Sequence, residues 1–297
     1  MPESPEVQAL AEELDSRLAG RMIADVDVLE FRVTKTRARP LTTLVGERVV
    51  GVTRHGKLLD LDLDGSEHLV VSLGRHGWAR WRVEEPTDAA GATDAADATS
   101  ADGGAAEPPP PALVALEFDD GPALELTDAG GWVSLGCWVV DDAAEVPAIA
   151  KLASDPADPG FGRGDFEAVV KDRRKQLKAI LQEQESIAGI GNAYSDEILH
   201  VAKLSPVVHG ATLDDDEVGR LHDATVGVIR SAIDARRGVP IHELKAAKVA
   251  AMRVHGRAGE DCPRCGDTIL DFSFASTTAQ YCPTCQTGGE VLPLKGE

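Results

Sequence analysis

Cys262-Pro-Arg-Cys265 and Cys282-Pro-Thr-Cys285 are two C-x-x-C pairs with sixteen residues between them, near the end of a 297-residue chain. That is the spacing of a four-thiolate zinc site on two knuckles. Each turn offers two thiolates to one tetrahedral ion, and the residues between form a hairpin. A redox pair would need only one C-x-x-C, and a disulfide framework is disfavoured in a cytosolic chain. Four thiolates leave no open coordination position, so the expected Zn2+ is structural. Cys137, beside Trp138 in an apolar run, reads as a buried core thiol.

Fifty acidic against thirty basic residues give a net charge of -20, which taken alone argues against a nucleic-acid partner. Distribution matters more than the sum. Residues 86–112 hold five acids, no base and no apolar side chain larger than alanine, and read as a disordered acidic loop. The bases cluster elsewhere, from Arg32 to Arg39, at Arg54 and Lys57, from Arg75 to Arg82, from Lys171 to Lys178 and from Lys245 to Arg257. They form either five solvated faces or one segregated basic surface.

Length and composition, with 43% hydrophobic and 27% charged residues, fit a globular chain of about two domains. No apolar run is long enough for a bilayer, and the N-terminus is acidic where a secretory signal is basic, so the expectation is a cytoplasmic protein. Val7, Leu10, Leu14 and Leu18 have helical spacing. From Met22 to Val140 short alternating runs predict an antiparallel sandwich or barrel behind one leading helix. FEAVVKDRRKQLKAILQEQ, AYSDEILHVAKL, DDDEVGRLHDATVGVIRSAIDARR and IHELKAAKVAAM then carry helical spacing. The fold class is α+β, with an N-terminal β-sandwich over 1–145, a helical domain over 146–252 and a zinc-finger hairpin with tail over 253–297.

Four features coincide: MPESPEV at the start, RHGK at 54–57, GIGNAYSDEIL at 189–199, and the cysteine finger preceded by VHGRAGEDC. In this order they resemble the formamidopyrimidine-DNA glycosylase and endonuclease VIII family of base-excision repair enzymes, from end to end apart from the acidic loop. The resemblance implies that the initiator methionine is removed and that the amine of Pro2 attacks the sugar C1′ of a damaged nucleotide. A free α-amine titrates about two units below a lysine, so more of it is nucleophilic near neutrality. By the same resemblance Glu3 shuttles protons beside the amine, Glu6 positions the termini at the DNA-binding end, and Lys57 contacts the backbone next to the lesion. The segment from Lys175 to His200 resembles the family's helix-two-turns-helix motif. Its glycine loop would let amides such as Gly191 approach a phosphate, with Asn192 and Tyr194 alongside. Lys175 and Arg257, from the basic clusters, complete this side of the DNA-binding set.

The pattern also breaks. Where the family's finger carries an arginine five residues before the third cysteine, this chain has Thr277, which brings no charge. Arg75 and Trp132 occupy the places of the family's intercalating methionine and phenylalanine. Arg236 to Met252 reads as a charged helix in place of a loop over oxidised guanine, so 8-oxoguanine recognition is not implied. The function expected is a glycosylase with abasic-site lyase activity, working as a monomer on double-stranded DNA that carries a damaged base or abasic site. The rival readings are a non-catalytic damage-binding descendant and a zinc-containing interaction scaffold.

Overall fold

The computed structural model describes residues 1–82, 109–274 and 277–292. The acidic segment predicted over 86–112 lies outside them except for its last four residues, of which Ala112 opens a strand. Helix α1 spans Ser4–Leu18. Pro5 stands in its first turn, where a missing N–H costs nothing, and the Glu6 carboxylate accepts from the Glu3 N–H at 3.2 Å. Val7, Leu10, Leu14 and Leu18 are fully buried against the strands that follow.

Those strands are β1 Ile23–Val28, β2 Val49–His55, β3 Leu58–Leu63, β4 His68–Ser72, β5 Gly77–Trp81, β6 Ala112–Phe118, β7 Leu124–Asp128 and β8 Gly136–Val140. They form two antiparallel four-stranded sheets, ordered β1-β6-β7-β5 and β2-β3-β4-β8. Side chains from both sheets and from α1 share one core, with Leu10, Leu59, Leu61, Leu116 and Leu126 at its centre. Cys137 lies in that core, fully buried, where desolvation pushes its thiol up to about 12. The run DVDVLEF is strand only to Val28. Glu30 accepts from the Arg32 N–H and turns the chain into a short 3-10 helix over Phe31–Val33.

The second half is α2 Pro147–Ala150, α3 Arg163–Val170, α4 Leu177–Leu181, α5 Asn192–Ala202, α6 Asp215–Arg236 and α7 Leu244–Ala251. FEAVVKDRRKQLKAILQEQ is two helices with a break, because Asp172 adopts a left-handed φ of 61° that no helix continues through. The break leaves the basic stretch outside while Leu177, Ile180 and Leu181 join the helical core. The hairpin β9 Leu270–Phe274 and β10 Thr277–Tyr281, then α8 Pro283–Gln286, close the chain. Among the described residues no helix is long and apolar enough to cross a membrane.

Candidate active site

The N-terminus lies between the sandwich and the helices. Met1 lines two clefts. One, of about 550 Å3, is shared by Pro2, Lys57, Arg75 and Trp132. The other, of about 540 Å3, is shared by Glu3, Asn192, Lys248, His255 and Arg257. Pro2 is buried beneath Met1, which is half exposed.

Glu3 is 1% exposed, and its carboxylate sits on the N-terminus of α5. Oε2 accepts from the N–H of Gly191 at 2.5 Å and of Tyr194 at 3.3 Å, and Oε1 from Ala193 N–H at 3.0 Å. Lys248 Nζ donates to Oε1 at 3.3 Å. Burial pushes this acid upward, but Lys248, Lys57 and the amides of Ala193 and Gly191 outweigh it and hold the carboxyl below its usual range.

This arrangement corrects the expectation for Gly191. Its amide serves Glu3, not a DNA phosphate, because a helix N-terminus is an anion site that the chain's own carboxylate fills. The glycines make room for the N-terminal segment. A Cβ on Gly191 would lie 2.6 Å from the Glu3 carboxyl carbon, and one on Gly189, at φ 86°, would collide with Ser4.

Glu6 and Tyr194 are buried together. Each is 1% exposed, and the Tyr194 hydroxyl donates to Glu6 Oε1 at 2.7 Å. Neither reaches the surface. Lys248 donates to Glu6 Oε2 at 3.0 Å and lies 4.9 Å over the Tyr194 ring, while Arg236 stands 3.9 Å from Glu6. Asn192 is half-buried on the cleft, with its Oδ1 accepting from Gln182 at 3.0 Å. Lys57 occupies the β2–β3 turn. Burial lowers its ammonium to about 8, opposed by Glu3 and helped by a smaller repulsion from Lys248.

Arg75 and Trp132 come together on one lip, on the β4–β5 and β7–β8 loops. Trp132 is 78% exposed. Asp128 holds both loops: it accepts from the N–H of Gly130, Ser134 and Leu135 and from the Ser134 hydroxyl, whose oxygen accepts from Arg75 N–H at 3.0 Å. Lys175 is less available than its cluster suggests, since it shares Glu183 with Arg173. Arg32, Arg39, Arg80 and Arg82 are likewise paired with carboxylates, so most of the basic clusters are locally neutralised. Arg257 lines the second cleft but bonds Glu260 at 2.8 Å.

The four finger sulfurs lie within 4.8 Å of one another, with Sγ–Sγ distances of 3.4 Å for Cys265 to Cys282 and to Cys285, and 4.0 Å for Cys262 to Cys285. A tetrahedron with Zn–S bonds of about 2.3 Å needs edges of about 3.8 Å, so Cys262, Cys265, Cys282 and Cys285 fit the ion. His200 Nε2 stands 3.3 Å from Cys262 Sγ, and Gln286 ties the knuckle to the helical core through Leu204 O at 2.9 Å. Chelation or Cys282→Ser is expected to unfold the hairpin, with one zinc per chain lost by elemental analysis. A native hairpin after complete metal removal would contradict this. Thr277 opens β10 in register with Phe274.

Family comparison settles what this assembly is. The chain matches the formamidopyrimidine-DNA glycosylase N-terminal domain over residues 1–131, that enzyme's H2TH domain over 152–241, and the zinc finger found in FPG and IleRS over 259–288. The chain belongs to the formamidopyrimidine-DNA glycosylase family. The formamidopyrimidine-DNA glycosylase of Heliobacterium modesticaldum is 32% identical over 96% of this chain and 100% of its own. An uncharacterized formamidopyrimidine-DNA glycosylase-like protein of Mycobacterium tuberculosis is 44% identical over 50% of this chain and 93% of its own. The FPG protein of Thermus thermophilus superposes with a TM-score of 0.76 at 27% identity, covering 96% of this chain and 99% of that one. The Lactococcus lactis enzyme, solved with abasic-site DNA, has the same fold at 24% identity, with a TM-score of 0.79 and the same coverage.

Within this family architecture, three features escaped sequence reading: Lys248 in the site, the fully buried Lys178–Asp196 pair, and His255 held by Asp196 at 2.8 Å. For Lys248 a signal existed. Leu244 and Lys248 are one helical turn apart, so an inward Leu244 turns Lys248 inward too.

Proposed function

We propose that the protein is a base-excision repair glycosylase and abasic-site lyase whose nucleophile, once Met1 is removed, is the secondary amine of Pro2. The observation that carries this reading is the convergence of Pro2, Glu3 and Lys57 where the two clefts meet. The amine attacks C1′, the C1′–N bond breaks, and the base leaves with the bonding pair and a proton. The sugar ring opens to an iminium between Pro2 and C1′. Loss of a C2′ proton then expels the 3′ phosphate and nicks the strand. Glu3 is the acid and base beside the amine, Lys57 and Asn192 hold phosphates, and Arg75 with Trp132 fills the gap left by an everted nucleotide.

A duplex with one abasic site tests this by gel. Strand incision is expected, whereas tight binding without incision would favour the non-catalytic damage-binding reading. Lys57 adds a pH dependence. Its ammonium is present below about 8 and lost above, so affinity for abasic duplex at fixed salt is expected to fall as pH rises through that value. Lys57→Arg, charged throughout, is expected to remove the alkaline loss. Parallel profiles for the two proteins would contradict a phosphate contact by Lys57.

A further inference from the structure

Helix α7 inserts a cation into the site from the side opposite Lys57. Lys248 Nζ, 13% exposed as a side chain, bonds Glu3 at 3.3 Å, Glu6 at 3.0 Å and the Met1 carbonyl oxygen at 3.1 Å. That oxygen is about 2.3 Å from Pro2 N across the peptide bond. Nζ therefore lies within about 5.4 Å of the nitrogen that becomes the terminal amine, close enough for a cation to act on it through a buried medium. Burying an ammonium is costly unless it is paired, and Glu3 and Glu6 supply the pairing.

We propose that Lys248 is a positioning residue of this active centre: it locks the two carboxylates of α1 in place and sets its positive charge against the terminal amine, favouring the unprotonated nucleophile. The proposal rests on the reading of Pro2 as nucleophile. The groups around Lys248 are Glu3 and Glu6 from α1, Tyr194 from α5, Arg236 from α6 behind Glu6 and Lys57 from the β2–β3 turn, while Lys245, one turn earlier on α7, acts on the N-terminus and lies over Trp78. Removing the Lys248 charge deletes a repulsion on the amine and also leaves Glu3 and Glu6 uncompensated. Both changes make the amine easier to protonate.

The decisive variant is Lys248→Gln, which keeps a hydrogen-bond donor while removing the charge; Lys248→Met is a second neutral side chain. Borohydride trapping on an abasic duplex is followed from pH 6 to pH 10. The trapping midpoint of Lys248→Gln is expected to move up by about one unit, which is about a tenfold loss of adduct near neutrality with recovery at alkaline pH. Lys248→Arg is expected to return the midpoint towards wild type. A purely structural lysine would lower the adduct by one factor at every pH, and that result overturns the proposal. The same titration is read without DNA from the Pro2 ring carbons in 13C-proline-labelled protein, assigned with Pro2→Gly. An unmoved Pro2 titration in Lys248→Gln also overturns it. A shifted titration with no adduct in any protein would sink the lyase reading and support the role of the Lys248 charge.

Discussion

Glu3→Gln is expected to slow base release by about 10²–10⁴-fold, the usual contribution of a positioned proton-transfer group, while leaving duplex binding largely in place. The Glu3 carboxylate links the start of α1 to the backbone amides that open α5 and to the α7 lysine, and it lies next in sequence to the proposed nucleophile. Both of its oxygens accept, from Gly191 and Tyr194 on one side and from Ala193 and Lys248 on the other. A glutamine must turn its NH2 towards one of these donor pairs, which leaves buried donors unsatisfied at about 1–3 kcal/mol. Some thermal destabilisation therefore accompanies the kinetic loss. Single-turnover excision alongside a melting curve separates the two effects. Because the carboxyl is held below its ordinary range, its stabilisation is complete above that range and is lost only as pH falls through the lowered value. Excision within a few-fold of wild type would remove Glu3 from the chemistry.

Asp196→Ala is expected to cost about 3–5 kcal/mol, the penalty for stranding one member of a buried ion pair. Lys178 and Asp196 are both 0% exposed, and without the carboxylate the ammonium retains only the Asn192 carbonyl at 3.1 Å. Asp196 also bonds His255, while its neighbour Glu197 accepts from the N–H of Arg253, Val254 and His255. The pair thus braces the loop carrying Asn192 and the strap that leads to the finger. A double change, Lys178→Met with Asp196→Leu, is expected to recover most of the stability, since replacing both charges avoids the stranded one. Urea unfolding of the three proteins checks this. An Asp196→Ala midpoint equal to wild type would mean that the pair carries no such load.

The parts of this molecule legible in its sequence are those fixed by local chemistry. Two C-x-x-C pairs specify a zinc knuckle whatever surrounds them, and alternation from Met22 onward specifies strands. Val7, Leu10, Leu14 and Leu18 likewise specify the buried face of α1. What was hidden depends on long-range pairing. The glycine loop read as a phosphate cradle because its amides are free in the sequence, and only the fold brings Glu3, 188 residues away from Gly191, onto them. Glu6 and Tyr194 have the polar character of surface residues and are buried because the fold supplies their partners, each other and, for Glu6, also Lys248. The basic clusters read as either solvated faces or one segregated basic surface, and the partners that neutralise them, such as Asp141 for Arg39 and Glu125 for Arg80 and Arg82, are distant in sequence. Lys248 belongs to the same class, being one more charge until α7 packs against α1.

The central claim is that Pro2 forms the covalent link to DNA, and peptide mapping of the borohydride-trapped complex tests it most directly. Protein whose mature N-terminus has been verified by mass spectrometry is trapped on a duplex with a single abasic site, digested and sequenced. The account predicts that the sugar remnant lies on the N-terminal peptide at Pro2, and that protein retaining Met1 gives little or no adduct. A remnant on Lys57 or Lys248, or an undiminished adduct in protein retaining Met1, would contradict it.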